Sequence, residues 1–448
     1  GQDDKNSKAY ITHLYQAGLG LPDRDYYLKE DEKSKEIQQA YKVHIKNMLK
    51  LVEYSDPSAV SETVYEIEKK LASKSMTRVD RRDPDKTYTK FSVGGFDKML
   101  TNMDITAYLT EAGAANIEDL IVGQPNYFKA LDSLMAAIDL RDWKYYMQWR
   151  LISSFAPNLS SSFVDEHFDF YGRTLSGTEV MKPRWERSLN KFNGSLGELL
   201  GEAFVSRHFS EESKEDVSRM VENLRDVFAE RIQNLEWMSE TTKEKALEKL
   251  AAFDMKIGFP NRWRDYSSLD ITADNLIENI ISAREFNFNY MMQKLGKPVD
   301  KEEWFMTPQT VNAYYSSSKN EIVFPAGILQ APFYSTAADD ALNYGGIGAV
   351  IGHEFTHGFD DQGSKYDANG NLENWWTEED RAAFDQRANV VVEQFNRYEP
   401  LEGLFVNGEL TLGENIADLG GATLAFHALE KELEQKGEPE PIDGFTYQ

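Results

Sequence analysis

Gly345-Gly346-Ile347-Gly348-Ala349-Val350-Ile351-Gly352-His353-Glu354-Phe355-Thr356-His357 carries the reading of this 448-residue chain. The stretch is apolar and helix-compatible, so His353 and His357, four residues apart, project from one face about one turn apart. Two ring nitrogens so placed can share one metal ion. A catalytic zinc takes three protein ligands and keeps a position open for water, whose pKa it lowers towards about 7. Glu354, beside the first histidine, can accept that water's proton as it attacks a peptide carbonyl. The competing reading is a chance match in an ordinary helix, and the third ligand discriminates between them.

A third histidine of the metzincin pattern would stand at position 363, with glycine at 360; this chain has Gly363 and Asp360, which rules that group out. A carboxylate from a second helix is the other solution. Gly413-Glu414-Asn415-Ile416-Ala417-Asp418 offers one, 57 residues beyond His357. Glu414 and Asp418 share a helical face, so with Glu414 on the metal Asp418 can accept the free ring N–H of a ligand histidine and fix its tautomer. Taken alone, the pair also fits a helix-dipole glutamate and a surface aspartate.

Outward from this segment, the chain is long enough for two or three domains, and its 41% hydrophobic and 12% aromatic content supplies packed cores. Its 75 acidic against 49 basic residues give a charge of −26, which repels phosphate backbones and anionic membranes, so nucleic acid is not an expected partner. With no cysteine, disulfides, thiolate metal sites and a cysteine nucleophile are excluded. No apolar run approaches the roughly 18 residues of a membrane span.

Val217, Met220, Val221, Leu224, Val227, Phe228, Ile232 and Leu235 fall three and four apart, the stripe of an amphipathic helix, and helices dominate the first two thirds. Thr241 with Glu244 fits a capping box ahead of the Lys243–Phe253 stretch, and Gly258-Phe259-Pro260 is expected to end that helical run. Candidate breaks lie in Arg78–Lys86, with Pro84 inside it, and at Lys297-Pro298. Beyond the second, Thr310–Tyr315 and Glu321–Phe324 predict a hairpin across Ser316–Asn320. Asp367-Ala368-Asn369-Gly370-Asn371 has Leu372 where a calcium loop requires glycine and is expected to be a turn. His13, His44, His167, His208 and His427 are expected to be structural or solvated.

Taken together, the His353–His357 stretch, its continuation Gly358-Phe359-Asp360-Asp361 and Gly413–Asp418 resemble the zinc helix and third-ligand motif of the neprilysin and endothelin-converting-enzyme family. Asn312-Ala313-Tyr314-Tyr315 resembles that family's substrate-clamping strand, and Ile322–Gln330 and Leu19–Tyr27 extend the likeness over essentially the whole chain.

The resemblance implies a mainly α fold with a small β-sheet: two helical lobes around a central cavity, with a thermolysin-like zinc core in the larger lobe. On that mapping residues 1–73 and 279–448 belong to the catalytic lobe and 74–278 form the second. It implies one zinc on His353, His357 and Glu414, with Glu354 and Asp418 in catalytic roles. The Asn312 side chain and the Ala313 backbone would hold extended oligopeptides, with cleavage before a hydrophobic residue and Val350 in the pocket wall. It further implies a location outside the cytoplasm. The family is expected to extend beyond both ends of this chain, supplying an oxyanion-stabilising histidine and a substrate-binding arginine after Gln448. An inactive fragment that binds zinc or peptide without turnover is therefore the alternative.

Overall fold

A computed structural model of the chain describes residues 1–437, Pro441 and Gly444. The chain parts into two units. The first takes Gly1, 11–195 and 267–296, and the second takes 2–10, 196–266 and 297–448 as far as they are described. The second unit's last segment begins at Lys297, the break that Lys297-Pro298 predicts.

The first unit is built on helices. Asp31 and Asp56 cap Glu32–Leu51 and Pro57–Lys74 by accepting from the amides of Ser34 and Ala59. Helix Leu140–Phe155 adds Trp149, whose indole N–H donates to the Tyr41 hydroxyl at 3.1 Å inside a core that also holds Tyr27, Ile45, Met48 and Leu71. A three-stranded sheet centred on Asp119–Val122 completes it. The expected lobe boundary at 73/74 does not divide the units here. Residues 11–73 share this core with the segments up to 170, because the apolar faces of the two long helices are filled by Phe96, Tyr127 and Trp149. Only residues 2–10 of the expected 1–73 segment lie in the second unit.

In the second unit the stripe of helix Glu211–Gln233 is buried as its spacing predicts, with Val217, Val221 and Leu224 fully enclosed. The following helix, Glu240–Ala251, is capped by Ser239, which accepts from the Thr242 amide, and not by Thr241. It ends before Phe253, and the sequence up to Gly258 is a strand, β1 (Asp254–Gly258), rather than more helix. β1 is the parallel partner of a later strand, so its pairing is invisible to local periodicity. The hairpin forms as β2 (Tyr314–Ser316) and β3 (Glu321–Pro325), with β3 central and β2 at the edge. Asn320 at the turn adopts a left-handed φ of 51° and donates to Lys249 and Ala368 carbonyls.

Helix α1 (Ala349–His357) buries Ile351 and Phe355, the latter stacked on Phe253 at 5.7 Å. Helix α2 (Leu412–Lys436) packs directly on it. The approach needs glycine: a Cβ on Gly421 would stand 2.6 Å from the Ala349 carbonyl oxygen and 2.7 Å from the His353 amide nitrogen. Among the described residues no helix is long and apolar enough to cross a membrane.

Candidate metal centre

The close packing of α1 on α2 brings together side chains that the sequence separates. His353 and His357 turn their Nε2 atoms to within 2.9 Å of each other, and Glu414 Oε2 lies 3.3 Å and 3.6 Å from them. These three atoms are the one group of metal-capable donors found among the described residues. Donors bound to one tetrahedral zinc at about 2.0–2.1 Å stand about 3.3 Å apart, so the spacing fits such an ion.

The outer ring nitrogens are both engaged. His353 Nδ1 meets Asp418 Oδ1 at 2.8 Å, and His357 Nδ1 meets Asp360 Oδ2 at the same distance. Each carboxylate accepts an Nδ1–H and leaves Nε2 as the lone-pair atom, the tautomer a metal requires. Two lone pairs at 2.9 Å repel unless positive charge lies between them, which is the observation by which these residues fit a cation.

A proton on an imidazole is one such positive charge, and the neighbouring carboxylates favour it. Burial alone would lower His357, but its hydrogen bonds to Asp360 and Glu414 outweigh burial and raise it to about 10. Glu414, hydrogen-bonded to both imidazoles, is held well below the usual carboxylate range. Glu354 is 5% exposed, and burial pushes its carboxyl up to about 7 against the pull of the two histidines.

A cavity of about 370 Å³ opens beside these groups, lined by His353, Glu354, His357 and Glu414 and by Asn312 and Ala313 just before β2. Val350 is half-buried against the unit's core and does not line it. Asp418 stands outside with its side chain 79% exposed. The Asp367–Asn371 segment is a turn in which the Asp367 carboxylate accepts from the amides of Asn369 and Asn371. His427 pairs with Glu430 and His44 with Glu166, away from these donors.

Sequence reasoning missed Asp360. Its 5% exposed carboxylate also accepts from the amides of Gln362 and Gly363, at 2.8 and 2.7 Å. The signal available was its place three residues after His357, where a chain leaving the helix can turn back. Gly421 was missed too, because a glycine inside a helix announces no partner.

Two imidazoles on one helix, a carboxylate from a second and a glutamate next to the first imidazole define the donor set of the zinc hydrolases with two histidines and one glutamate. The chain belongs to peptidase family M13, whose models match residues 1–260 and 312–447. Among curated relatives, human neprilysin is 34% identical over 99% of this chain and 63% of its own length. Endothelin-converting enzyme 1 of Rattus norvegicus is 35% identical over 97% of this chain and 59% of its own. The chain thus spans about six tenths of these relatives. Among solved structures, the Mycobacterium tuberculosis zinc metalloprotease Zmp1 in complex with inhibitor superposes with a TM-score of 0.94 at 42% identity, over 100% of this chain and 69% of that one. The expected family and the mainly helical two-lobed fold class are borne out.

Proposed function

We propose that this chain is the zinc-binding part of an endopeptidase that hydrolyses oligopeptides before hydrophobic residues. The reading is carried by one observation, the convergence of His353 Nε2, His357 Nε2 and Glu414 Oε2 beside the buried Glu354. Bound zinc would supply Lewis acidity, polarising the scissile carbonyl and lowering the pKa of water towards about 7. Glu354 takes a proton from the attacking water on its carboxylate and delivers it to the departing amine, a role suited by its buried place beside the three donor atoms. Asp360 and Asp418 keep the Nδ1 protons of the two histidines in place. The outer edge of β2 can pair with an extended peptide, with the Asn312 side chain and Ala313 backbone holding its main chain. By family likeness the proposed location is outside the cytoplasm, which cell fractionation tests.

A second reading, binding without turnover, is favoured by the cavity itself. Among the described residues its lining includes no lysine, no arginine and no histidine besides His353 and His357. A cationic side-chain donor for the oxyanion would have to come from elsewhere, and losing one oxyanion donor costs about 10²–10³ in turnover.

Metal analysis and peptide hydrolysis test both readings. Glu354→Gln should retain one zinc per chain and lose hydrolysis, whereas Glu414→Ala should lose the metal. Equal metal loss in the two variants refutes the assigned roles, and zinc binding without hydrolysis by the unmodified chain selects the second reading.

A further inference from the structure

The first unit contains a cavity of about 420 Å³, within the roughly 300–1,000 Å³ of small-molecule sites. Two helix faces form much of its wall. Arg187 and Lys191 stand one turn apart on helix Arg184–His208, before its kink at Leu196, and Ile280 and Arg284 stand one turn apart on Leu276–Met292. Phe168 supplies a further apolar wall, and no carboxylate lines the space.

In a chain with 75 acidic and 49 basic residues, three cations around a cavity without a carboxylate are uncompensated. Lys191 makes no hydrogen bond or salt bridge among the described residues, and burial first, then the charge of Arg284, lowers its pKa. Arg284 lies 4.7 Å over the Phe155 ring and reaches only the Ser154 carbonyl, at 3.5 Å. Arg187 spends its Nε–H on the Lys182 carbonyl, which leaves its terminal nitrogens available. On the same wall Asn158 Nδ2 is buried without a hydrogen-bond partner.

We propose that this cavity binds a carboxylate carried on an apolar group, with the carboxylate between Lys191 and Arg284 and the apolar body against Phe168 and Ile280. An anion there relieves the repulsion between the two cations and offers the Asn158 amide an acceptor. Such a carboxylate can come from a peptide C-terminus or from a free aliphatic acid.

Calorimetric titration of the chain with N-acetylphenylalanine, its C-terminal amide and octanoate tests the proposal. At least one of the two acids should bind. If it is N-acetylphenylalanine, its amide should bind at least about tenfold more weakly, as loss of a charge-assisted contact implies. Lys191→Gln and Arg284→Gln should each weaken the bound acid about tenfold or more. Binding of N-acetylphenylalanine alone assigns a peptide C-terminus, and octanoate alone a free aliphatic acid. The proposal is overturned if neither acid binds at millimolar concentration, if acid and amide bind alike, or if both variants bind as the parent does. The acid-to-amide comparison and the octanoate titration on the unmodified chain stand even if a variant folds poorly.

Discussion

Asp360→Asn separates a carboxylate that sets a histidine tautomer from one that merely ends a helix. The asparagine keeps the shape, and the amides of Gln362 and Gly363 still require the oxygen that now accepts from both. The side-chain NH2 must then face His357 Nδ1, where the carboxylate oxygen stood at 2.8 Å. Two donors cannot face each other, so the ring proton moves to Nε2, the atom turned towards His353 and Glu414. Losing such an outer partner costs roughly 10–100-fold in metal affinity, or about 1.4–2.7 kcal/mol. Burial decides where in that range each aspartate falls. Asp360 is 5% exposed, so no water can easily replace its carboxylate; Asp418, at the same distance from its own histidine, has a side chain 79% exposed. Asp360→Asn should therefore approach a hundredfold loss and Asp418→Asn about tenfold. Zinc titration in competition with a chromophoric chelator at fixed pH measures both. The reasoning fails if Asp418→Asn costs as much as Asp360→Asn, or if Asp360→Asn stays within about twofold of the parent.

Two further expectations concern the fold. Glu68 is fully buried, accepts from the Tyr27 and Tyr41 hydroxyls at 2.6 and 2.8 Å, and is pushed by burial from 4.5 up to about 7. Its folded pKa exceeds its unfolded one, so its contribution to stability is complete below about pH 4.5 and is lost as pH rises through 7; the loss is on the order of 3 kcal/mol. Glu68→Gln should remove that slope from urea unfolding of the first unit, and parallel pH profiles for parent and variant would contradict it. Gly421→Ala puts a Cβ 2.6 Å from the Ala349 carbonyl and should cost about 1–3 kcal/mol together with metal affinity. Gly345→Ala, with nothing within 4 Å, should be neutral in the same melting and metal assays.

What the sequence makes legible is what repeats locally. His353 and His357, Glu414 and Asp418, and the stripe of Glu211–Gln233 each rest on helical spacing, and each lies where that spacing puts it. The hairpin is legible from its β-branched and aromatic runs, though β2 starts at Tyr314 and leaves Asn312 and Ala313 outside the ladder. The strand β1 is not, because its parallel partner β3 lies more than sixty residues on and only that pairing makes Asp254–Gly258 a strand. The division into two units departs from the expected 73/74 boundary for a similar reason: nothing local to Pro57–Lys74 announces Trp149 and Phe96 as the residues that fill its core.

Lys249 shows how far such long-range dependence reaches into the site. In the sequence it is one of three lysines on a charged helix, and nothing local sets it apart. In the fold it is 1% exposed, and its ammonium donates to the carbonyls of Gly358, Gly363 and Tyr366, each at 2.7 Å. Burial pulls its pKa down to about 7, against the carboxylates of Asp360 and Asp367. Three carbonyl acceptors need three N–H donors, and only the protonated amine has three, so the cage itself favours the charge that burial opposes. The loop gathered by that ammonium is the one that carries Asp360. With its carbonyls drawn to Lys249, the amides of Gln362 and Gly363 turn to Asp360 Oδ1, which leaves Oδ2 for His357. The tautomer of one candidate ligand therefore rests on a side chain more than a hundred residues upstream, a dependence no spacing rule within the motif can express.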